Sequence, residues 1–194
     1  MRSSIAGQNI RVDVVSIRSR RLELVSLSPA VLDALLAGRR EEAEAALGLA
    51  VPIDWPGKGD ERFLRLRLEQ MRREPDAQPW LVRAVVLRRG TRMVGHAGFH
   101  GPPGAWGLAP AAVELGYTIF PSFRGRGYAT EAAVALMEWA AAQGIRHFVA
   151  SVSPENAPSL AIVRKLGFVR TGEQWDEEDG VEHVFELADA RMQQ

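Results

Sequence analysis

The sequence predicts an α/β fold: a single domain whose mixed sheet carries helices on both faces. Three observations carry that prediction. The chain has 194 residues, enough for one domain with a full-sized core. Strand patterns follow strand patterns early in the chain and alternate with helical patterns late. Residues 128–143 repeat Ala129, Ala132, Ala133, Leu136, Met137 and Ala140 at the helical period, the stripe of a helix laid against a sheet.

Composition excludes several classes of function. Hydrophobic residues make up 46% and charged residues 25%, with a formal net charge of zero. That is the balance of a globular chain, without the basic excess of a general nucleic-acid binder. No nucleic-acid partner is expected. The absence of cysteine removes disulfides, thiolate metal sites and a cysteine nucleophile. No apolar run has the length of a signal segment or a membrane span. The expected location is cytoplasmic, with no membrane partner.

The elements follow in order. Residues 1–19 read as an N-terminal tail or an extra strand, because Val12, Val14 and Ile17 alternate with polar residues imperfectly. The domain proper is expected over 20–188, with a C-terminal tail at 189–194. A first strand covers 22–25. Ser28 and Pro29 are an N-cap and first-turn pair, and Gly38 stops the helix they start. Residues 41–47 continue as a second helical piece. Two prolines and a glycine around Trp55 make 51–57 a structured loop. Helix returns over 61–73 and stops before Pro75. Strands at 80–87 and 92–99 form a hairpin about Arg89-Gly90, followed by a Gly/Pro-rich loop at 100–110 that holds Trp106. A strand at 113–120 leads to the helix at 128–143, which Gly144 ends. A strand at 146–152 precedes a helix capped by Asn156 and ended by Gly167. A last hairpin joins 168–175 to 181–187 through an acidic turn.

The stretch at 113–130 organises the rest. It reads as strand, sharp turn, glycine-rich loop (Arg124-Gly125-Arg126-Gly127) and helix start. Backbone N–H groups at a helix start converge on one spot, and the macrodipole adds positive potential there. Gly125 and Gly127 let a ligand come close, and Arg124 and Arg126 carry the charge that suits phosphate. A dinucleotide fingerprint fails because Thr130 stands where a third glycine belongs. A Walker loop fails because no Lys-Ser/Thr pair follows. On these residues alone, a pyrophosphate cradle and a plain surface turn both remain open.

Residues 124–132 resemble the acetyl-CoA motif of the GNAT superfamily, Arg/Gln-x-x-Gly-x-Gly/Ala, matched by Arg124, Gly127 and Ala129. Glu114-Leu115-Gly116-Tyr117, Pro154-Glu155-Asn156-Ala157-Pro158-Ser159 and Arg164-Lys165-Leu166-Gly167-Phe168 extend the likeness. Together they resemble the branch of ribosomal-protein N-terminal acetyltransferases. The likeness is dense over 114–168, compatible from Leu22 onward and absent from the first residues.

That resemblance implies a central, mostly antiparallel sheet splayed at the acetyl-CoA site. It implies acetyl transfer from acetyl-CoA, a co-substrate, to a primary amine by direct attack in a ternary complex. The acceptor is a small-molecule amine or a protein N-terminus. No metal is expected, and homodimer formation is left open. The amides of Gly125, Arg126, Gly127, Tyr128 and Ala129 would hold the pyrophosphate, with the Arg124 and Arg126 side chains as exposed helpers. Ile119 and Phe120 would lie beside the pantetheine arm, although Ile119 also reads as core. Asn156 reads as an N-cap and, by resemblance, as a contact to the same arm. Ser159 would protonate the departing thiolate, or else simply satisfy the helix start.

Glu114 is the candidate general base. A lysine-like amine with a pKa of about 10.4 needs ~4–5 kcal/mol to lose its proton at neutral pH, and an α-amine only about 1 kcal/mol. A base in the cleft, with a raised pKa, would serve; the alternative is a carboxylate on a solvated strand face. His96, His100, His147 and His183 show no metal-ligand spacing and read as surface or hairpin residues. Of these, His183 is a weak candidate for the acceptor side, as is Trp55. The rival reading is a non-catalytic acyl-CoA-binding module, in which neither Glu114 nor Ser159 would face the thioester.

Overall fold

Runs of β-branched and small residues pair into one sheet of eight strands, in the order β1-β2-β3-β4-β5-β6-β8-β7. The computed structural model describes residues 16–109, 111–177 and 180–188. The expectations for 1–15, for the tail at 189–194 and for Glu178 and Asp179 of the last turn lie outside the described residues. The strands are β1 (Ile17–Arg18), β2 (Leu22–Ser26), β3 (Arg83–Leu87), β4 (Met93–Phe99), β5 (Ala112–Ile119), β6 (His147–Val152), β7 (Val169–Asp176) and β8 (Gly180–Ala188). The helices are α1 (Pro29–Leu36), α2 (Arg40–Leu47), α3 (Lys58–Arg73), α4 (Tyr128–Ala142) and α5 (Ala157–Lys165).

All neighbouring strands pair antiparallel except β5 and β6, which run parallel. Their ladder consists of Ala112–His147, Val113–Phe148 and Glu114–Val149. Beyond it each strand continues with a different partner. β5 pairs with β4 as far as Ile119 opposite Gly95, and β6 pairs with β8 as far as Val152 opposite His183. The sheet therefore opens between β5 and β6, as the splayed, mostly antiparallel expectation requires.

Two cores fill the two faces. Val113, Leu115 and Ile119 of β5 pack under Ala132, Ala133 and Leu136 of α4, with Val163 of α5 in the same cluster. On the other face Leu32 of α1 and Leu64, Leu68 and Met71 of α3 pack against Val82 and Ala84. The helix starts follow the sequence signals. Ser28 Oγ accepts from Val31 N at 3.3 Å, and Asn156 Oδ1 accepts from Ser159 N at 3.2 Å. Gly127 precedes α4 with φ of 75°, in the left-handed region that favours glycine.

Some boundaries move. α3 begins before the expected 61, at Lys58, where the first-turn Asp60 Oδ2 accepts from Gly57 N at 2.9 Å. The expected strand at 80–87 begins only at Arg83; Pro75–Trp80 forms a 3-10 turn with Pro79 inside it, since proline cannot donate to a ladder. Ile17 and Arg18, in the segment read as a tail or an extra strand, form a short strand that pairs with Leu24 and Glu23 of β2. Trp175 stands 75% exposed on β7. Among the described residues no helix is long and apolar enough to cross a membrane.

β4 depends on close backbone approach. A Cβ at Gly95 would overlap the Thr118 carbonyl oxygen, and one at Gly98 the Leu81 carbonyl oxygen. Gly172, by contrast, has open space around it. Gly95→Ala should lower the unfolding free energy by about 3 kcal/mol in urea titration, and Gly172→Ala should stay within about 0.5 kcal/mol of wild type. Equal effects would contradict the tight β4–β5 packing.

Candidate active site

Where the β5–β6 ladder ends, a cleft of about 680 Å³ opens. Side chains on β5 alternate, so the strand serves both walls. Glu114 and Gly116 look toward α3 and His100, while Tyr117 looks toward Ser159 of α5. Asn156 and Ser159, at the start of α5, line the same cleft. The sequence candidates Glu114, Asn156 and Ser159 are thus brought together.

Glu114 is nearly sealed, with 12% of its side chain exposed. Burial pushes its carboxyl up, but the His100 imidazole, the Ser151 hydroxyl and the Arg67 guanidinium outweigh that and hold it below its ordinary 4.5. This corrects the expected raised pKa: the cation and donors around the group decide, not its burial. His100 Nδ1 lies 3.5 Å from Glu114 Oε2, and Glu114 Oε1 is buried with no hydrogen-bond partner among the described residues. Arg67, 5% exposed, is pushed down to about 10 by burial, with Glu114 working the other way. Its Nη1 donates to Gln70 Oε1 and to the His100 carbonyl, both at 2.7 Å.

On the opposite wall, burial raises the Tyr117 phenol, and the neighbouring Ser159 hydroxyl offsets part of that rise. Tyr117 Oη is closed off from solvent. A phenol and a hydroxyl therefore stand together where a leaving group could collect a proton.

The glycine loop lies just past the end of β5. Gly125 and Gly127 have φ of 73° and 75°, so the turn into α4 is built for glycine. Arg124, Gly125, Arg126 and Gly127 are exposed, and Tyr128 and Ala129 are half-buried. The first-turn amides of α4 have no intrahelical partner by geometry, which suits a pyrophosphate. The expected arginine helpers are partly engaged. Arg124 Nε donates to the Ile119 carbonyl at 2.9 Å, tying the loop back to β5, and Arg126 Nη2 reaches the Ser122 carbonyl at 3.4 Å. Arg21 joins the loop unannounced by the sequence. Its Nη1 donates to the Arg126 carbonyl at 3.0 Å, its guanidinium lies 4.7 Å from the Tyr128 ring centre, and Glu131 Oε2 accepts from its Nε at 2.6 Å. Ile119 is core, as its alternative reading held. Phe120 is half-buried, and its N donates to the Val94 carbonyl at 2.9 Å.

Two weak candidates move away from the cleft. Trp55 is 3% exposed, packed in the core with Leu64 and Leu68 of α3. His183 does not line the cavity; its Nε2 lies 3.5 Å from Glu173 Oε1 on β7, because β8 presents it to its hairpin partner. The sequence also passed over His96 and His100. His96 lies 5.2 Å from the Phe63 ring, centre to centre; its Nε2 is buried without a hydrogen-bond partner. Gly116 and Tyr117 stand inside the 114–117 motif. Arg67 and His100 come from segments distant in sequence, and no local spacing announces them.

The family model described as "Acetyltransferase (GNAT) domain" matches residues 21–169. A curated relative, the uncharacterized N-acetyltransferase YnaD of Bacillus subtilis (strain 168), is 31% identical over 104 residues, 48% of this chain and 58% of the relative. The chain thus spans little more than half the length of that relative. A second, the uncharacterized N-acetyltransferase YjdG of the same organism, is 26% identical over 157 residues, 80% of this chain and 90% of the relative. The solved ribosomal-protein-S5-alanine acetyltransferase of Vibrio fischeri shares the fold with a TM-score of 0.60 at 17% identity, over 91% of this chain and 98% of that one.

Burial of His96 has a consequence for acid stability. Burial, offset in part by Asp60 and reinforced by Arg67, pushes the imidazole down from 6.5 to about 4. The folded protein keeps it neutral while the unfolded chain takes up a proton below 6.5, so the contribution is complete above 6.5 and lost as the pH falls toward 4. Unfolding free energy should drop by about 2 kcal/mol between pH 7 and 5, above the range where Glu114 protonates. His96→Gln should flatten that slope in urea titrations at the two pH values; an unchanged slope would contradict the assignment.

Proposed function

The chain belongs to the acetyltransferase (GNAT) family, and from that premise we propose that it is an N-acetyltransferase moving acetyl from acetyl-CoA to a primary amine by direct attack in a ternary complex. The observation that carries the reading is the cleft at the end of the β5–β6 ladder, with an ionised carboxylate on one wall and two hydroxyls on the other.

The amides at the start of α4 and the left-handed Gly125 and Gly127 suit the pyrophosphate of acetyl-CoA. Beyond Glu114, the β5 edge that faces away from β4 offers backbone groups to the amides of the pantetheine arm, as an added strand would. Asn156 and Ser159, which line the cleft, would flank that arm. The acceptor amine would approach from the α3 side. Its nitrogen lone pair attacks the thioester carbonyl carbon, the carbon–sulfur bond breaks with its electron pair on sulfur, and the proton that the acylated nitrogen then sheds replaces the one the Ser159 hydroxyl, beside Tyr117, passes to the thiolate. The proton shed by the ammonium is drawn toward Glu114, whose negative charge persists through neutral pH.

The acceptor is a small-molecule amine or a protein N-terminus. Partition between neutral and protonated amine sets the barrier, so an α-amine near pKa 8 asks less of the site than a lysine-like amine.

Thiol release from acetyl-CoA over a panel of amines and N-terminal peptides tests the reading. Turnover with at least one acceptor is expected, and Glu114→Gln should lower kcat/KM about 100-fold at neutral pH. Tight CoA binding with no turnover across the panel would favour a non-catalytic acyl-CoA holder instead. Gly127→Val forces a β-branched residue into a left-handed conformation and sets its side chain at the cradle. It should weaken acetyl-CoA binding more than tenfold by calorimetry, and unchanged affinity would sink the cradle.

A further inference from the structure

We propose that His100 and Glu114 work as a pair, in which the imidazole takes the acceptor's proton on Nε2 while the carboxylate holds the proton on Nδ1. The inference rests on the acetyl-transfer reading and deepens it by saying where the proton lands.

The pair is fixed by backbone before side chains enter. His100 N donates to the Glu114 carbonyl at 2.8 Å, which locks the end of β4 to β5. The His100 carbonyl in turn accepts from Arg67 Nη1 at 2.7 Å and Gln70 Nε2 at 3.2 Å. Its main chain is thus held from two sides, which fixes where the imidazole is anchored. Its Nδ1 comes to 3.5 Å from Glu114 Oε2, a distance that shortens readily when substrate closes a site.

Gly116 makes room for the ring. A Cβ at that position would lie 2.8 Å from His100 Nε2, so Nε2 sits over the one β5 residue that has no side chain. Gly116 lines the cleft. The exposures agree with a division of labour: the His100 side chain is 39% exposed and that of Glu114 12%.

The chemistry follows from the donor inventory. An ionised carboxylate only accepts, so the nitrogen facing it carries the proton and the other ring nitrogen keeps a lone pair. Imidazole is the side chain whose charge changes nearest neutrality, which makes it a better sink for an ammonium proton than a carboxylate stabilised in its ionised form. In the step, the N–H bond of the acceptor ammonium breaks with its electron pair left on nitrogen, and the proton bonds to His100 Nε2. The imidazolium is stabilised by Glu114. After acyl transfer the proton passes to solvent, and the ring returns to its starting form. Among the described residues, charged groups near the ring include Glu114 from β5 and Arg67 from α3. Asp60 and Arg62 of α3, Asp176 of β7 and Glu182 of β8 line the same cleft.

The test has two arms. Imidazole nitrogen NMR of the full chain, labelled at histidine, should find His100 protonated on Nδ1 in the neutral wild type, with that preference lost in Glu114→Ala. A wild-type ring protonated on Nε2 would overturn the pairing whether or not an acceptor is known. The second arm is the pH dependence of kcat/KM with the best acceptor from the amine panel. His100→Gln should cut kcat/KM about 100-fold at neutral pH and remove the wild-type acidic limb. Gly116→Ala should lower kcat while leaving CoA affinity intact. A rate lowered evenly with the limb retained would reduce His100 to a structural role and overturn the inference. If Glu114→Gln is fully active, the proposed base site itself fails; if it is inactive while His100→Gln keeps the wild-type profile, only the pairing fails.

Discussion

The β5–β6 ladder ends at Glu114 and Val149, and the rest of the site depends on that ending. Backbone polar groups must find partners. β5 and β6 satisfy theirs on their outer edges, with β4 and β8, while the inner edges diverge. The divergence creates a cleft in the middle of a sheet, lined by backbone groups that an extended amide-bearing ligand can pair with. It also sets the α5 start at the side of that cleft, while the glycine loop follows the end of β5, outside the residues that line the cavity.

Electrostatics gives the two walls different characters. On the α3 wall, Arg67 and His100 keep Glu114 charged despite its burial. On the α5 wall, Tyr117 and Ser159 offer protons without charge. Both walls come from one strand, because successive β5 side chains point to opposite faces. Arg67 serves a structural and an electrostatic end at once: it ties α3 to the His100 carbonyl and places a cation near the carboxylate. Its burial is supported by Gln70 and by the Phe63 ring, 5.0 Å away.

Much of this was legible in the sequence where the signal is local. Ser28, Gly127 and Asn156 announced helix starts, and the period of Ala132 to Ala140 announced α4. The turn from β5 into α4 was readable because two glycines and a helix start are contiguous. The pKa of Glu114 was not, since it depends on Arg67 and His100, far apart in the chain and joined only by folding. Trp55 misled because a tryptophan between prolines looks the same in sequence whether it points in or out. His96 and His100 were passed over because spacing carries no information about burial. Loop chemistry near the cleft was legible; the second layer around it was a product of topology.

A crystal structure of the chain with CoA tests the central claim most directly. The account predicts the pyrophosphate on the amides of residues 125–129 and the pantetheine running between β5 and β6 past Glu114. The thiol should lie near Ser159 and Tyr117. CoA bound elsewhere, with the gap between β5 and β6 empty or closed, would contradict it.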